Sequence, residues 1–274
     1  MESTMLMLNT IIILLSLTFI TLSIYLYLKW RKRNPSIDLK AYDILNNQNI
    51  EEFSLLKQQG HCNLNHFLKT DQRNYLVRKF KYKSDRKAEF YIQNLAYKQG
   101  IAAKALLLDE KQELMICDFV EGEHLFKLDQ RTLKELALSL KKLHKIKIQQ
   151  KPQTFKKLFK YKDKKVYESF KLLQQFKPEY VLGHNDLHPK NILFGKKIQF
   201  IDWEYAGMSD RYFDLAAISI EFKLNNKDEK TFLRTYFPRK HAPNHKKLNA
   251  YKVIYKTLWT VWLGELERGQ IDTV

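Results

Sequence analysis

The chain has 274 residues and carries 48 Lys and Arg against 30 Asp and Glu, which gives a formal net charge of +18. Hydrophobic residues make up 45% of the chain, with only 8 Gly and 6 Pro, and this excludes a disordered, collagen-like or low-complexity protein. Cys62 and Cys117 are too few for a disulfide framework and lie outside any metal-ligand spacing, so a reducing compartment is the simpler interpretation.

The first element is an uncharged run at residues 3–28, rich in Ile, Leu, Phe and Thr. At about 1.5 Å per residue it is long enough to cross a hydrocarbon core of roughly 30 Å, so residues 1–33 are predicted to form a single transmembrane anchor with a basic flank. A cleaved signal peptide is the alternative, but Glu2 precedes the run and the basic residues follow it. By the positive-inside rule, these basic residues place the rest of the chain in the cytoplasm. They are Lys29, Arg31, Lys32 and Arg33.

Residues 34–121 are predicted to form a small lobe of strands and one helix. The helix spans residues 84–100, with Ser84 as its N-cap and Gly100 as its stop. A polar turn at residues 70–74 precedes one of the strands. The predicted strands are residues 53–58, 75–80, 105–108 and 113–119.

Residues 122–274 are predicted to form a larger, mainly α lobe. Leucines recur at helical spacing at positions 133, 136, 140 and 143, and helical patterning returns at residues 215–222 and 248–266. One segment between these helices, residues 180–207, is non-helical and dense in polar groups.

A strongly basic stretch begins at Lys141 and ends at Lys165, and it holds 11 Lys and one Asp among Leu, Ile, Phe and Tyr. For a chain tethered beside a bilayer, contact with anionic lipid headgroups is the favoured hypothesis. A solvated basic surface is the alternative. Nucleic-acid binding rests on charge alone, so no nucleic-acid partner is expected.

The chemistry of the chain is concentrated in residues 180–207. Asp186 and Asn191 lie in a loop, and a short hairpin that ends at Asp202 is expected to bring this carboxylate back beside Asn191. Two carboxylates and an amide oxygen suit Mg²⁺ with phosphate, while one carboxylate stays available to orient a hydroxyl.

The sequences HNDLHPKN and IDWE resemble the catalytic loop and metal-binding segment shared by protein kinases and the aminoglycoside and choline phosphotransferases. The chain resembles in particular the choline/ethanolamine kinase family, from about residue 53 to residue 269. The resemblance implies an α+β, two-lobed protein kinase-like fold and ATP and Mg²⁺ as cofactors. It also implies that Asp186 is the catalytic base, that His184 braces the loop, and that Asn191 and Asp202 hold Mg²⁺.

The resemblance also implies a nucleotide site in the small lobe. Arg78 would hold the nucleotide phosphates and Glu89 would brace it, with Lys79 as the alternative cation. On the other interpretation, Arg78 and Glu89 form one more surface ion pair.

Two loops complete the nucleotide site that the resemblance implies. In the phosphate loop, Gly60 and Asn63 match the family, whereas Gln59 replaces a Gly and Cys62 replaces a small hydroxyl residue. The sequence CDFVEG resembles the hinge segment whose backbone pairs with adenine, which assigns Phe119 and Val120 to the nucleotide.

The acceptor site is implied by the residues after Asp202 and by the C-terminal helix. Glu204 and Tyr205, together with Trp259 and Trp262 three residues apart on one helix, would surround a trimethylammonium group with aromatic faces and negative charge. Asp214 resembles the buried aspartate that supports the catalytic loop. The alternative for the two tryptophans is a place in the core.

The sequence therefore predicts an ATP-dependent phosphotransferase acting on the hydroxyl of a small amino alcohol, choline or ethanolamine. Thiamine and aminoglycosides are the rival acceptors within the fold, although an aminoglycoside site would call for an acidic groove. A membrane-tethered pseudoenzyme or binding module is the alternative of another class, and the irregular loop at Gln59 favours it.

Overall fold

The computed structural model describes residues 37–267 except 58, 61, 83 and 154–162, and at 259 and 261–267 it describes the backbone alone. The predicted transmembrane anchor at residues 1–33 and the side chains of Trp259 and Trp262 lie outside this description. Within the part described, no helix is both long and apolar enough to cross a bilayer.

The chain divides into two units, Met1–Asn47 and Gln48–Val274. The described part of the first unit holds two short 3₁₀ turns, Leu39–Ala41 and Asp43–Leu45. Asp38 caps the first turn by accepting a hydrogen bond from the Lys40 amide at 3.1 Å. The second unit contains all the predicted site residues.

The second unit begins with a five-stranded antiparallel sheet in the order β1-β2-β3-β5-β4. Four of the strands were predicted, but β2 was not, because its first half reads as a polar loop that contains Asn63, Asn65 and His66. The edge strand β1 is mostly exposed, whereas β3 and β5 at the centre are mostly buried. The strands are β1 (Ile50–Leu55), β2 (Asn63–Thr70), β3 (Asn74–Phe80), β4 (Ala105–Asp109) and β5 (Leu114–Asp118).

Helix α1 (Arg86–Lys98) follows β3, close to its predicted bounds. Its N-cap is Asp85, which accepts from the Ala88 amide at 3.0 Å, so the prediction of Ser84 was wrong by one residue. Ser and Asp can both cap a helix. In this structure the Asp85 carboxylate reaches the third amide of the helix and acts as the cap. Gly100, at φ +72°, ends the helix in the left-handed conformation that glycine adopts without strain.

The rest of the unit is mainly helical, as predicted. The leucine stripe of α2 is buried, and α4 is the central helix because residues 212–219 are all buried. The sequence did not predict α3, which begins at the end of the basic stretch, or α5, which is largely polar. The helices are α2 (Gln130–Leu143), α3 (Lys164–Leu173), α4 (Arg211–Glu221), α5 (Asn226–Tyr236) and α6 (His245–Glu267).

The basic stretch lies partly at the surface and partly outside the described residues. Lys142, Lys145, Lys147 and Lys151 are exposed, as are Lys164 and Lys165 at the start of α3. Contact between these lysines and lipid stays a prediction.

Two small antiparallel pairs carry the catalytic segment. β6 (Tyr180–Gly183) pairs with β9 (Gly207–Asp210), and β7 (Ile192–Phe194) pairs with β8 (Ile198–Phe200). The segment that connects β5 to α2 contacts β7, because Glu123 and Phe194 form two backbone hydrogen bonds of 2.9 Å.

The packing at the end of β6 generates a prediction for Gly183. A Cβ atom there would collide with Ser209 Oγ and lie 2.6 Å from Asn185 Oδ1, two atoms already joined by a 2.6 Å hydrogen bond. We expect Gly183→Ala to lower the free energy of unfolding by about 1–3 kcal/mol, as overpacking does.

Gly60→Ala is the matched control, because a Cβ at residue 60 would lie 3.8 Å from Asn65 Nδ2 and 4.0 Å from the Asn63 carbonyl, which are ordinary contacts. Denaturant unfolding of both variants measures the effect. Equal stability of the two variants would show that the junction between β6 and β9 is less tightly packed than described.

Candidate active site

The start of the catalytic loop is held by hydrogen bonds to one buried carboxylate, that of Asp214 on α4. Its two oxygens accept from the amides of His184 (2.8 Å) and Asn185 (2.9 Å), the first two residues after β6. Two backbone hydrogen bonds to one carboxylate fix the direction in which the chain leaves β6 and turns toward Asp186.

A histidine that the sequence analysis missed supports Asp214 from behind. His144, at the end of α2, places Nε2 3.0 Å from Asp214 Oδ2 and Nδ1 2.6 Å from the Tyr236 hydroxyl. Burial alone would raise the pKa of Asp214, but the hydrogen bond and charge of His144 hold it below its usual value. The carboxylate therefore remains ionised. The only sequence signal for His144 is a polar residue that follows the buried leucine stripe.

Asn185 adopts the left-handed conformation, with φ +66°, and its side chain is held on both sides. Its amide nitrogen donates to Gln153 Oε1 (2.9 Å) and the Tyr205 carbonyl (3.0 Å), while its oxygen accepts from Ser209. Gln153, another residue that sequence reasoning missed, thus ties the basic stretch to the catalytic loop.

His184 is fully buried and bridges the loop to the segment that carries Asp202. Its Nε2 lies 3.0 Å from the Ile201 carbonyl, and its ring packs 4.8 Å from that of Trp203. Burial lowers the pKa of His184, so the ring is neutral at neutral pH. A neutral ring can donate one hydrogen bond to the carbonyl without adding charge.

Asp186, Asn191 and Asp202 converge at the open end of this segment. Asn191 donates to the Asp186 carbonyl (2.9 Å) and to Asp186 Oδ2 (2.7 Å). The Ile201 amide donates to the Asn191 carbonyl at 3.0 Å, which places the next residue, Asp202, beside Asn191 as predicted from the hairpin. Asp202 itself has φ +65°, an uncommon conformation outside glycine and one that turns its side chain out of the strand direction.

The oxygens at this point fit a divalent cation. The Asn191 nitrogen faces Asp186, which leaves its side-chain oxygen to join the Asp202 carboxylate. Mg²⁺ is commonly held by one or two carboxylates together with substrate phosphates and waters, so this small oxygen set suits it. Among the described residues, no group of three or more Asp, Glu, His or Cys side chains forms a complete protein cage for a metal.

Two carboxylates of the cluster have raised pKa values. Burial, with the charges of Asp202 and Glu204, raises the pKa of Asp186 to about 8. Burial and the charge of Asp202 likewise raise the pKa of Glu204 to about 7. A bound divalent cation would oppose both shifts, because it is the largest local charge in such a site.

Arg78 on β3 faces this cluster. Its two terminal nitrogens lie 2.5 Å from Glu89 Oε1 and 2.5 Å from Asp202 Oδ1, and its side chain is only 6% exposed. Lys79 points the opposite way along the strand and donates to the Gln112 carbonyl at the exposed edge. The Arg78–Glu89 pair is therefore buried, so the surface-ion-pair interpretation is wrong. Lys79 contacts a different part of the small sheet, and the role of Arg78 at the phosphates stays a prediction.

The predicted phosphate loop is closed by side-chain hydrogen bonds. Gln59 donates to the carbonyls of Leu56 (2.6 Å) and Asn65 (2.9 Å) and accepts from the Asn65 amide (2.8 Å). With its amide oriented to satisfy both neighbours, buried Asn63 accepts from Arg78 Nη2 at 2.7 Å. Gly60 has ordinary space around it, so no protein atom in the described structure requires a glycine there.

The predicted hinge follows β5 directly. The Phe119 amide donates to the Asn74 carbonyl at 3.2 Å, and its ring packs edge-on against Phe67 with centroids 4.9 Å apart. Val120 comes next, half-buried, before the chain pairs with β7. The hinge backbone is thus anchored at both ends.

The predicted acceptor residues fall into two places. Glu204 is 8% exposed and lies 3.4 Å from Arg86 Nη1, on the side of the small sheet, while the neighbouring Tyr205 is partly exposed. On α6, in contrast, buried Tyr255 donates to Glu221 Oε1 at 3.0 Å. Trp259 and Trp262 follow Tyr255 on the same helix, so the Tyr255 hydrogen bond brings the Glu221 carboxylate to the helix that carries the two tryptophans. Glu221 was not predicted as a site residue.

Sequence comparison finds a known family that the catalytic segment resembles. Residues 159–255 match the model of the choline/ethanolamine kinase family. The protein LicA of Haemophilus influenzae is 34% identical over 87 residues, which cover 29% of this chain and 33% of LicA. The match thus spans about a third of that relative's length.

Structural comparison extends the likeness to most of the chain. The crystal structure of choline kinase LicA from Streptococcus pneumoniae superimposes with a TM-score of 0.69 at 23% identity, covering 84% of this chain and 90% of that one. The chain resembles the choline/ethanolamine kinases in sequence and in fold. The resemblance and the kinase-like arrangement of a β-rich and a helical lobe, both expected from the sequence, are confirmed.

The choline/ethanolamine kinase fold is shared with antibiotic kinases. Spectinomycin phosphotransferase APH(9)-Ia, in complex with ADP and spectinomycin, superimposes with a TM-score of 0.65 at 14% identity, covering 88% of this chain and 91% of that one. This likeness concerns the fold alone, so it does not select an acceptor.

Proposed function

We propose that the protein is an ATP-dependent phosphotransferase that phosphorylates the hydroxyl of a small amino alcohol such as choline or ethanolamine. The observation that carries the proposal is the convergence of Asp186, Asn191 and Asp202 in a segment that matches the choline/ethanolamine kinases, with Arg78 and Glu89 facing it.

The nucleotide would lie between the small sheet and this segment. The hinge at Phe119 and Val120 is placed for the adenine, and Arg78 presents a buried guanidinium that can bind phosphate oxygens in a bidentate manner. Support for ATP comes from the ADP in the structurally similar spectinomycin phosphotransferase. Mg²⁺, held by Asn191 and Asp202, would neutralise charge on the phosphates.

Asp186 is placed to act on the acceptor. Asn191 holds one carboxylate oxygen of Asp186 at 2.7 Å, so the other oxygen can accept a hydrogen bond from the acceptor hydroxyl. The hydroxyl oxygen attacks the terminal phosphorus, its proton passes to Asp186, and the bond to the ADP oxygen breaks. The Asp186 side chain is 25% exposed, which leaves room for an acceptor to approach.

An ammonium group of the acceptor would be recognised by negative charge and aromatic rings. The charge of Glu221 is among the causes that raise the pKa of Asp186, after burial, Asp202 and Glu204, so Glu221 lies within electrostatic reach of the reacting centre. Tyr255 orients it, and Trp259 and Trp262 follow Tyr255 by about one and two turns of α6. Aromatic faces with a nearby carboxylate suit a trimethylammonium cation, which donates no conventional hydrogen bonds.

Substitutions of Asp186 and Asp202 are expected to have different effects on the reaction. We expect Asp186→Asn to lower kcat by about 100- to 10,000-fold, the usual contribution of a general base, while the variant still binds Mg²⁺ and ATP. Asp202→Ala should instead weaken the binding of Mg²⁺ and ATP. Steady-state kinetics over choline, ethanolamine, thiamine and spectinomycin, with titration calorimetry for the nucleotide, measure both effects.

Asp129→Asn is the matched control, since Asp129 is an exposed N-cap and asparagine also caps. Near-normal turnover of Asp186→Asn would refute the assignment of this segment. A wild-type protein that binds the nucleotide and phosphorylates none of the acceptors would favour the pseudoenzyme.

Charge recognition by Glu221 can be tested with choline and its uncharged isostere, in which carbon replaces nitrogen. We expect Glu221→Gln to raise the KM for choline about tenfold, roughly 1.4 kcal/mol, with little change in the KM for ATP. The preference of the wild type for choline over the isostere should narrow in the variant.

Glu229→Gln serves as the control. Glu229 lies on α5 and pairs with Lys252 of α6, the helix that also carries Tyr255. An unchanged preference in Glu221→Gln would place the cation site elsewhere. A large change in the Glu229→Gln variant would show that the effect is transmitted through α6.

We further propose that residues 1–33 hold the protein in a membrane as a single span, with the catalytic part in the cytoplasm. The support is the uncharged run at residues 3–28 and the basic residues after it. Protease added to intact cells should leave the kinase-like part uncut while it digests an extracellular control protein. Cleavage from outside would contradict this topology.

A further inference from the structure

Arg86 is a buried arginine that neither the predicted nucleotide site nor the acceptor site uses. It is the first residue of α1, and its side chain is only 7% exposed. The N-terminus of a helix carries partial positive charge, so a buried cation there is unfavourable unless carboxylates offset it.

Two buried carboxylates surround Arg86. Its Nη1 lies 2.6 Å from Glu89 Oε2 and 3.4 Å from Glu204 Oε2. Its Nη2 donates to the Tyr82 carbonyl at 3.2 Å, and the guanidinium carbon stacks 4.0 Å from the centre of the Phe80 ring. The plane of the guanidinium is therefore fixed by a ring on one face and by hydrogen bonds at its edge.

Glu89 is shared between two arginines. Oε1 pairs with Arg78 at 2.5 Å and Oε2 pairs with Arg86 at 2.6 Å, so both oxygens of a carboxylate that is 1% exposed are committed. The arginines reach opposite ends of the metal-binding segment, since Arg78 contacts Asp202 and Arg86 contacts Glu204. Two parallel bridges thus connect the small sheet and α1 to the sequence IDWE.

We propose that Arg86 is a positioning residue for the nucleotide site, which fixes Glu89 and Glu204 so that Arg78 stays aimed at the phosphates. This inference rests on the proposed function, because it assigns Arg78 to the nucleotide.

Arg86 is needed because Arg78 must exchange one of its partners when a nucleotide binds. When a cation and phosphate oxygens compete for Asp202 and Arg78, the bridge between these two side chains must open. Glu89 then has Arg86 as its second partner, and its carboxylate keeps the orientation that directs Arg78. Arg86 also keeps Glu204 paired, which limits the negative charge that a nucleotide meets.

The test compares Arg86→Met with Lys87→Met, the next residue of the same helix. Lys87 forms an exposed ion pair with Glu110 at 3.0 Å, which is expected to contribute little. Since hydrogen bonds between charged groups matter most when buried, we expect Arg86→Met to raise the KM and the dissociation constant for ATP with Mg²⁺ by about tenfold or more. The KM for choline should change less than about twofold, and Lys87→Met should resemble the wild type.

A purely structural role would lower the melting temperature and affect both substrates alike. If Arg86→Met does not fold, Arg86→Lys replaces it, because lysine keeps the charge but cannot pair with Glu89 and Tyr82 in the same plane. A folded Arg86→Lys with wild-type affinity for ATP would overturn the proposal. Non-additive effects of Arg86→Met and Glu204→Gln would support it, and additive effects would refute the bridge to Glu204.

Calorimetry of nucleotide binding without acceptor separates this inference from the proposed function. A wild-type protein that binds ATP but phosphorylates no amino alcohol would remove the proposed acceptor, and the affinity of the Arg86 variants would still decide the role of Arg86. A wild-type protein that binds no nucleotide would overturn both.

Discussion

The arrangement of the site is governed by the repulsion between carboxylates that are held together in a buried place. Burial and the charge of Asp202 raise the pKa of Asp186 to about 8 and that of Glu204 to about 7, well above those of free carboxylic acids. Arg78 and Arg86 offset part of this charge from the side of the small sheet. The remaining negative charge makes the site complementary to a divalent cation, which is the property that a phosphotransferase needs before it can accept a nucleotide.

Such a cluster can persist only on a rigid support, and the helical part of the second unit provides it. Asp214 holds two consecutive loop amides, His144 and Tyr236 hold Asp214, and the pairing of β6 with β9 fixes both ends of the segment. His144, Asp214, Tyr236 and the two loop residues are buried. The left-handed conformations at Asn185 and Asp202 are maintained by this packing, and Asn and Asp adopt such a conformation more readily than other non-glycine residues.

Much of the fold could be read from the sequence because its signals are local. Four strands, the first helix, the leucine stripe of α2 and the last helix follow from periodicity and from stop residues such as Gly100. Strand β2 was missed because its early residues are polar, and their strand conformation is stabilised by pairing with β1 and β3. The prediction of Ser84 as N-cap was wrong for a similar reason, because Ser and Asp both cap and only backbone geometry distinguishes Ser84 from Asp85.

In the candidate site, too, some features follow from the local sequence and others depend on the tertiary structure. The sequence by itself determined the identity and spacing of Asp186, Asn191 and Asp202, because one loop and one hairpin bring them together and only short-range geometry is involved. Tertiary structure alone decided which long-range partners they have. Arg86 and Glu204 are 118 residues apart, and His144 and Asp214 are 70 apart. Contacts at such separations depend on how helices and sheet pack around a common core, and no local pattern of side chains encodes that packing.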